Sequence, residues 1–212
     1  MSLRKAGFLI ALILIIDQVS KIYIKTNFTL GEEVFVFEWF RILFVENEGM
    51  AWGMKLPGSY GKLLLTLFRL VAIVGIGYWL YDSIKKQLPK VVLLALCLVF
   101  AGALGNIVDS VFYGLIFDDS LGKVASIFPE AGGYASLFHG KVVDMLYFPI
   151  WSGYLPEWIP FKGGDYFVFF EPVFNIADTS ISIGIGLLLL FNKSAFPKPT
   201  SASQNVEEKQ TS

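Results

Sequence analysis

Four apolar runs constrain this chain more than any other feature. Residues 6–24, 63–81, 91–111 and 175–191 each approach the roughly 20 apolar residues that a helix needs to cross a bilayer. The stretches between them are far richer in charge, glycine and aromatic side chains. A chain of 212 residues that is 55% hydrophobic and 17% charged, with a mean hydropathy of +0.61, reads as an integral membrane protein.

Arg4 and Lys5 precede the first run, as they would in a secretory signal peptide. Asp17-Gln18-Val19-Ser20-Lys21 then stands where a small-x-small cleavage site belongs, so the run reads as a retained helix. Lys85, Lys86 and Lys90 fall between the second and third runs, and Lys193 and Lys198 follow the fourth. The positive-inside rule therefore puts both termini and that short loop in the cytoplasm, and the loops 25–62 and 112–173 outside. The expected organisation is a single integral membrane domain, 1–192, with a disordered cytoplasmic tail, 193–212, rich in Ser, Pro, Lys and Glu.

The first outer loop contains Glu33-Val34-Phe35-Val36-Phe37-Glu38-Trp39-Phe40-Arg41-Ile42-Leu43-Phe44-Val45, dense in β-branched and aromatic residues, which predicts short strands. Trp39 and Trp52 suit the membrane interface. The expected fold class is thus an all-α membrane protein with a small β element. A single cysteine, Cys97, excludes an intramolecular disulfide, and its apolar surroundings make it a packing residue. His139 is the sole histidine and no zinc-ligand spacing occurs, which argues against a zinc enzyme. A net charge of −1 offers nothing to nucleic acid.

With this topology, polar residues inside the runs can be placed by depth, at about 1.5 Å per residue. Asp17 and Lys21 fall in the outer half of the first helix, Asn106 and Asp109 near the outer end of the third, and Asn175 and Asp178 at the outer start of the fourth. Asp144 lies in the outer loop that leads back to the fourth. Each has a plainer reading: an i, i+4 ion pair for Asp17 and Lys21, interhelical hydrogen bonding for Asn106, an interfacial position for Asp109, a turn for Asp144, and a helix cap for Asn175-Ile176-Ala177-Asp178-Thr179-Ser180. Scattered caps do not require four carboxylates and two amides from separate segments to meet in one layer.

Carboxylates that meet in a poorly solvated place cannot both ionise easily, and the pair then suits general acid/base attack by water. Asp144 and Asp178 are the natural pair, because both sit at the outer mouth. Two other classes compete. A Ser/Lys membrane hydrolase would use Ser20, Lys21 and Ser110, but adjacent Ser20 and Lys21 point to different helix faces. An ion-coupled transporter or membrane binding protein would also carry membrane carboxylates; against it, no inverted repeat is visible and no run carries a charge near its middle.

Five blocks in order resemble the lipoprotein signal peptidase (signal peptidase II) family: Asp17-Gln18-Val19-Ser20-Lys21, Asn47-Glu48-Gly49-Met50-Ala51-Trp52-Gly53, Gly102-Ala103-Leu104-Gly105-Asn106-Ile107-Val108-Asp109, Val142-Val143-Asp144 and Phe174-Asn175-Ile176-Ala177-Asp178. The resemblance covers residues 8 to 191. It implies four transmembrane helices, an extracytoplasmic β-cradle and a loop or helix region that can cover the site. It also implies an aspartic endopeptidase with Asp144 and Asp178 as catalytic dyad, and Asp17, Lys21, Asn47, Gly49, Ala51, Asn106, Asp109, Asn175 and Ala177 shaping the site or binding substrate. The implied substrate is a diacylglyceryl-modified prolipoprotein, cut just before the lipidated cysteine. The implied setting is the bacterial cytoplasmic (inner) membrane, with membrane lipid as the other partner, no cofactor or metal, and a monomer as the working unit.

Two departures stand out. The family usually has Arg after the Asp of the third-helix block, where this chain has Ser110. The second outer loop is longer than usual, with insertions around 118–140 and 149–171 on either side of Asp144, which are expected to modify access or substrate choice.

Overall fold

The first apolar run folds as α1 (Leu3–Asn27), opened by Ser2, whose side chain accepts the Lys5 N–H. The structure, a computed structural model, describes residues 1–48 and 60–191. After α1 come α2 (Gly61–Lys85) and α3 (Lys90–Val108), and the last described helix is α4 (Ile176–Leu190). α3 continues without a break through a π-helical turn, Asp109–Tyr113, and a final α-turn, Gly114–Ile116. Three of these helices, Leu3–Asn27, Gly61–Lys85 and Lys90–Ile116, are long and apolar enough to cross a membrane; α4 is apolar and has 15 residues.

Large apolar side chains are left exposed on the outer faces of the helices. Phe8, Phe68, Val71 and Val74 are 70% to 73% exposed, a surface no water-soluble helix bundle would leave bare. α3 is different: half of its apolar stretch is buried, against 17% for α1 and α2. It is the central helix, with α1, α2 and α4 packed around it. Glycine permits the closest of these contacts. A Cβ on Gly102 would fall 2.3 Å from the Ala177 carbonyl oxygen, and one on Gly184 would fall 2.7 Å from that of Ala95.

The strands expected within residues 33–45 are present as β1 (Glu33–Phe37) and β2 (Phe40–Asn47). The second outer loop adds β3 (Val142–Tyr147), β4 (Trp151–Tyr154), β5 (Tyr166–Phe169) and β6 (Val173–Phe174). β1-β2-β3-β6 form one antiparallel sheet, and β4 and β5 form a separate hairpin. Ile24 of α1, Phe44, Val143 and Met145 of the sheet, and Tyr113 and Phe117 after α3 share one apolar core, which fixes the sheet on the helix ends. Ala125 joins that core, so the insertion 118–140 is a packed wall of the molecule. Lys25, fully buried, ties it down by donating to Ser120 Oγ at 2.8 Å and to Glu46, with the Tyr134 ring 5.0 Å away. The β4–β5 hairpin instead shows its aromatic residues, with Tyr154 and Trp158 about three-quarters exposed or more. Among the described residues between 117 and 175 there are strands and turns but no helix.

The π-turn has a local cause. A π-turn lengthens the hydrogen-bonded ring and leaves carbonyls free for other partners. Here Ser110 O accepts from Gly140 N–H at 2.9 Å, and Val111 O accepts from Phe138 N–H at 3.1 Å. Only a glycine allows that approach at 140, since a Cβ there would lie 2.1 Å from the Asp109 carbonyl. The turn thereby docks the loop that leads into β3 and Asp144.

Candidate active site

Asp144 is placed by β3 and Asp178 by the first turn of α4. In the β2–β3 ladder Asp144 pairs with Val45. Asn47, two residues further along β2, is therefore its diagonal neighbour on the same face, and its amide donates to Asp144 Oδ2. Asn175 caps α4: its Oδ1 accepts the Asp178 N–H at 2.8 Å, and Asp178 reaches back to the Asn175 N–H in a capping box. The other end of the same amide donates to Asp144 Oδ1 at 2.7 Å. Asn106 of α3 donates to Asp178 Oδ1 at 2.7 Å, while its own oxygen accepts from Asn175 at 3.1 Å. Two asparagine amides thus bridge two carboxylates supplied by a strand and a helix.

Beneath this pair lies a second charged layer. Lys21 has three N–H donors and three acceptors around it: Asp17 Oδ2 at 3.0 Å, Asp109 Oδ2 at 2.9 Å and Asn106 Oδ1 at 2.9 Å. All three charged residues are 1% exposed or less. Such a group is tolerable in a low-dielectric interior only because each charge is paired and hydrogen-bonded. Asp17 also accepts the Ala177 N–H at 2.9 Å, so α1 anchors the start of α4. Gly105 makes room, since a Cβ there would meet Asp17 Oδ2 at 2.6 Å. Asp109 accepts the Val143 N–H at 3.3 Å, linking the layer to β3 one residue before Asp144.

Burial, followed by the charge of Asp178, pushes the Asp144 carboxyl up to about 8, against the opposing pull of Lys21 and the donors Asn47 and Asn175. Near neutral pH Asp144 therefore carries a proton. A neutral carboxylic acid beside a second carboxyl is the arrangement that supplies a proton donor and a proton acceptor to one reaction.

Of the residues singled out from the sequence, Asp17, Lys21, Asn47, Asn106, Asp109, Asp144, Asn175, Ala177 and Asp178 come together here. Gly49 and Ala51 lie outside the described residues, as does Trp52. One participant was missed. Gln18 donates to Asp109 at 2.9 Å and accepts from the Tyr113 hydroxyl at 3.1 Å; a polar residue beside Asp17 in an apolar run was its signal. Arg69, the ninth of the 25 residues of α2, is a charge inside the second apolar run to which the sequence reading gave no role. The serines are occupied by their own helices: Ser20 Oγ donates to the Asp17 carbonyl at 2.7 Å and Ser110 Oγ to the Asn106 carbonyl at 2.9 Å. Neither faces the Lys21 amine as a nucleophile would.

A multi-pass membrane protein with an acid pair at the junction of its helices and a small sheet is the class that this fold and site define. The family described as Signal peptidase (SPase) II matches residues 9–193. A lipoprotein signal peptidase of Porphyromonas gingivalis is 52% identical over 183 residues, 86% of this chain and 80% of that protein. One from Amoebophilus asiaticus is 35% identical over 200 residues, 92% of this chain and 80% of its own. A bacterial membrane enzyme solved by the in meso method at 1.9 Å superimposes with a TM-score of 0.59 at 26% identity, covering 93% of this chain and 96% of the other. The chain belongs to the signal peptidase II family.

Proposed function

We propose that this protein is an intramembrane aspartic endopeptidase that removes the signal peptide from diacylglyceryl-modified prolipoproteins, cutting just before the lipidated cysteine. The observation that carries the reading is the pairing of Asp144 and Asp178 through Asn175 and Asn106, where the sheet meets the helices. Family membership supplies the substrate class.

In this reading Asp178 takes a proton from water as the water oxygen bonds to the scissile carbonyl carbon, and Asp144 gives its proton to the carbonyl oxygen. When the intermediate collapses the C–N bond breaks, the carbonyl re-forms and returns its proton to Asp144, and the proton held by Asp178 goes to the leaving amine. No charge has to leave the site. Asn47, Asn106 and Asn175 hold the carboxyls in register, while the Asp17–Lys21–Asp109 layer fixes the helix ends that carry them. α1 to α4 serve as four spans with both termini cytoplasmic and the site at the outer face of the inner membrane, where acyl chains can stay in lipid while the peptide bond reaches the acids. The protein works as a monomer.

The test is cleavage of a synthetic lipopeptide by the purified protein in lipid nanodiscs, read by mass spectrometry. The reading predicts release of a peptide ending immediately before the diacylglyceryl cysteine, and no release from the same peptide without the lipid. Equal cleavage of both peptides, cleavage elsewhere or none contradicts it.

A further inference from the structure

Arg69 stands apart from the network just described. It lies in a membrane helix, half-buried, and makes no hydrogen bond or ion pair with another described residue. An ionisable side chain at such a depth is costly and marks a pathway or a ligand site. It lines a cavity of about 130 Å³ between α2, α3 and α4, whose other walls include Ile73, Ala103, Ile107 and Ile181. The polar side chain that shares the cavity with Arg69 is Asn106, which donates to Asp178. Asn106 thus connects the cavity to the acid pair.

A guanidinium offers five N–H donors and no acceptor. Among the described residues these donors have no hydrogen-bond partner, and the cavity beside them is lined mainly by isoleucine and alanine; an acceptor arriving with a ligand can take them. The walls suit an apolar chain and the guanidinium suits oxygen on that chain. Ser110, where the resembled family carries Arg, gives the site no cation: it is buried and donates to its own helix.

We infer that Arg69 is a substrate-positioning residue, donating to a carbonyl oxygen of the lipidated substrate segment that enters the cavity between α2, α3 and α4. This rests on the peptidase reading above. The oxygen belongs either to a peptide group next to the scissile bond or to an ester of the diacylglyceryl group. Both are carbonyls and both take a guanidinium in the same way.

The experiment compares kcat and KM of the unmodified protein, R69Q and R69K in nanodiscs, with the diacylglyceryl peptide and its ether-linked dialkylglyceryl counterpart. Thermal unfolding of each variant checks that it is folded. R69Q is expected to raise KM about 10- to 100-fold with kcat within about threefold, the loss associated with one charge-assisted hydrogen bond. R69K, which keeps a charged donor, is expected to recover at least half of that loss on a logarithmic scale. If the ether peptide alone already shows the raised KM with the unmodified protein, the ester is the acceptor; if R69Q weakens both peptides equally, the peptide group is. A KM for R69Q within threefold of the unmodified value overturns the inference and leaves the peptidase reading intact. So does equal impairment of R69K and R69Q, which marks a packing role. Failure of the unmodified protein to cut either peptide overturns both readings together.

Discussion

Asn175 donates to Asp144 at 2.7 Å with one end of its side chain and accepts the backbone N–H of Asp178 at 2.8 Å with the other. One residue therefore begins α4 and links its first turn to Asp144. Asn175→Ala is expected to lose about 1 kcal/mol of stability as a missing cap, and more than tenfold in cleavage rate because Asp144 loses a donor. Thermal unfolding and turnover measured on the same sample check this. A variant that unfolds earlier but cleaves at the normal rate would show that the amide is a cap and nothing else.

The raised Asp144 value makes stability depend on pH in a stated direction. Its ordinary carboxyl value is 3.8 and the folded value is about 8. Between those limits the folded state holds a proton that the unfolded chain has released, so stability falls as pH rises from about 4 to about 8. Asp144→Asn has no such proton, so its unfolding temperature should rise relative to the unmodified protein across this window. A constant difference between pH 5 and pH 8 would mean that Asp144 is not held neutral.

The same proton sets an upper limit on activity. If Asp144 is the acid, kcat/KM falls as pH passes about 8, with the apparent value belonging to the coupled pair. A rate still rising at pH 9.5 would remove Asp144 from that role.

Lys21 is surrounded by Asp17, Asp109 and Asn106 with no exposure. Lys21→Met leaves two buried carboxylates without their cation, a change typically costing about 3 to 5 kcal/mol. The expected outcome is a large loss of folded protein in detergent, partly restored by adding Asp17→Asn. No restoration would mean that Lys21 acts through packing instead of charge.

Glycines separate close packing from open surface. Gly102→Ala forces a Cβ to within 2.3 Å of the Ala177 carbonyl and is expected to cost about 1 to 3 kcal/mol. Gly75→Ala meets nothing within 4 Å and should be neutral or slightly stabilising, as alanine is the better helix former. Unfolding midpoints of the two variants, measured side by side, decide it.

Much of the site was legible because membrane burial makes polar residues conspicuous. Asp17, Lys21, Asn106, Asp109 and Asp178 interrupt apolar runs, and helix direction alone puts them in one layer. Asp144 was legible as a carboxylate in an apolar stretch, which became β3. The partnerships inside that layer were not legible, because Asn175 bridging Asp144 and capping α4 depends on how a strand and a helix meet in space. The π-turn at Asp109–Tyr113 leaves no periodicity in so short a stretch. Arg69 was visible as a letter but hidden by its context, since a long cationic chain in an apolar run reads as snorkelling. The packed wall of 118–140 was hidden because Lys25, Glu46 and Ser120 are far apart in sequence.

The measurement that bears most directly on the central claim is the cleavage rate of the diacylglyceryl peptide by Asp144→Asn and Asp178→Asn, each shown to be folded. Each variant keeps its shape and loses its acid-base capacity, so the account predicts that both fall by at least about 10² to 10⁴. Either variant cleaving within a few-fold of the unmodified protein would contradict the paired-carboxylate mechanism.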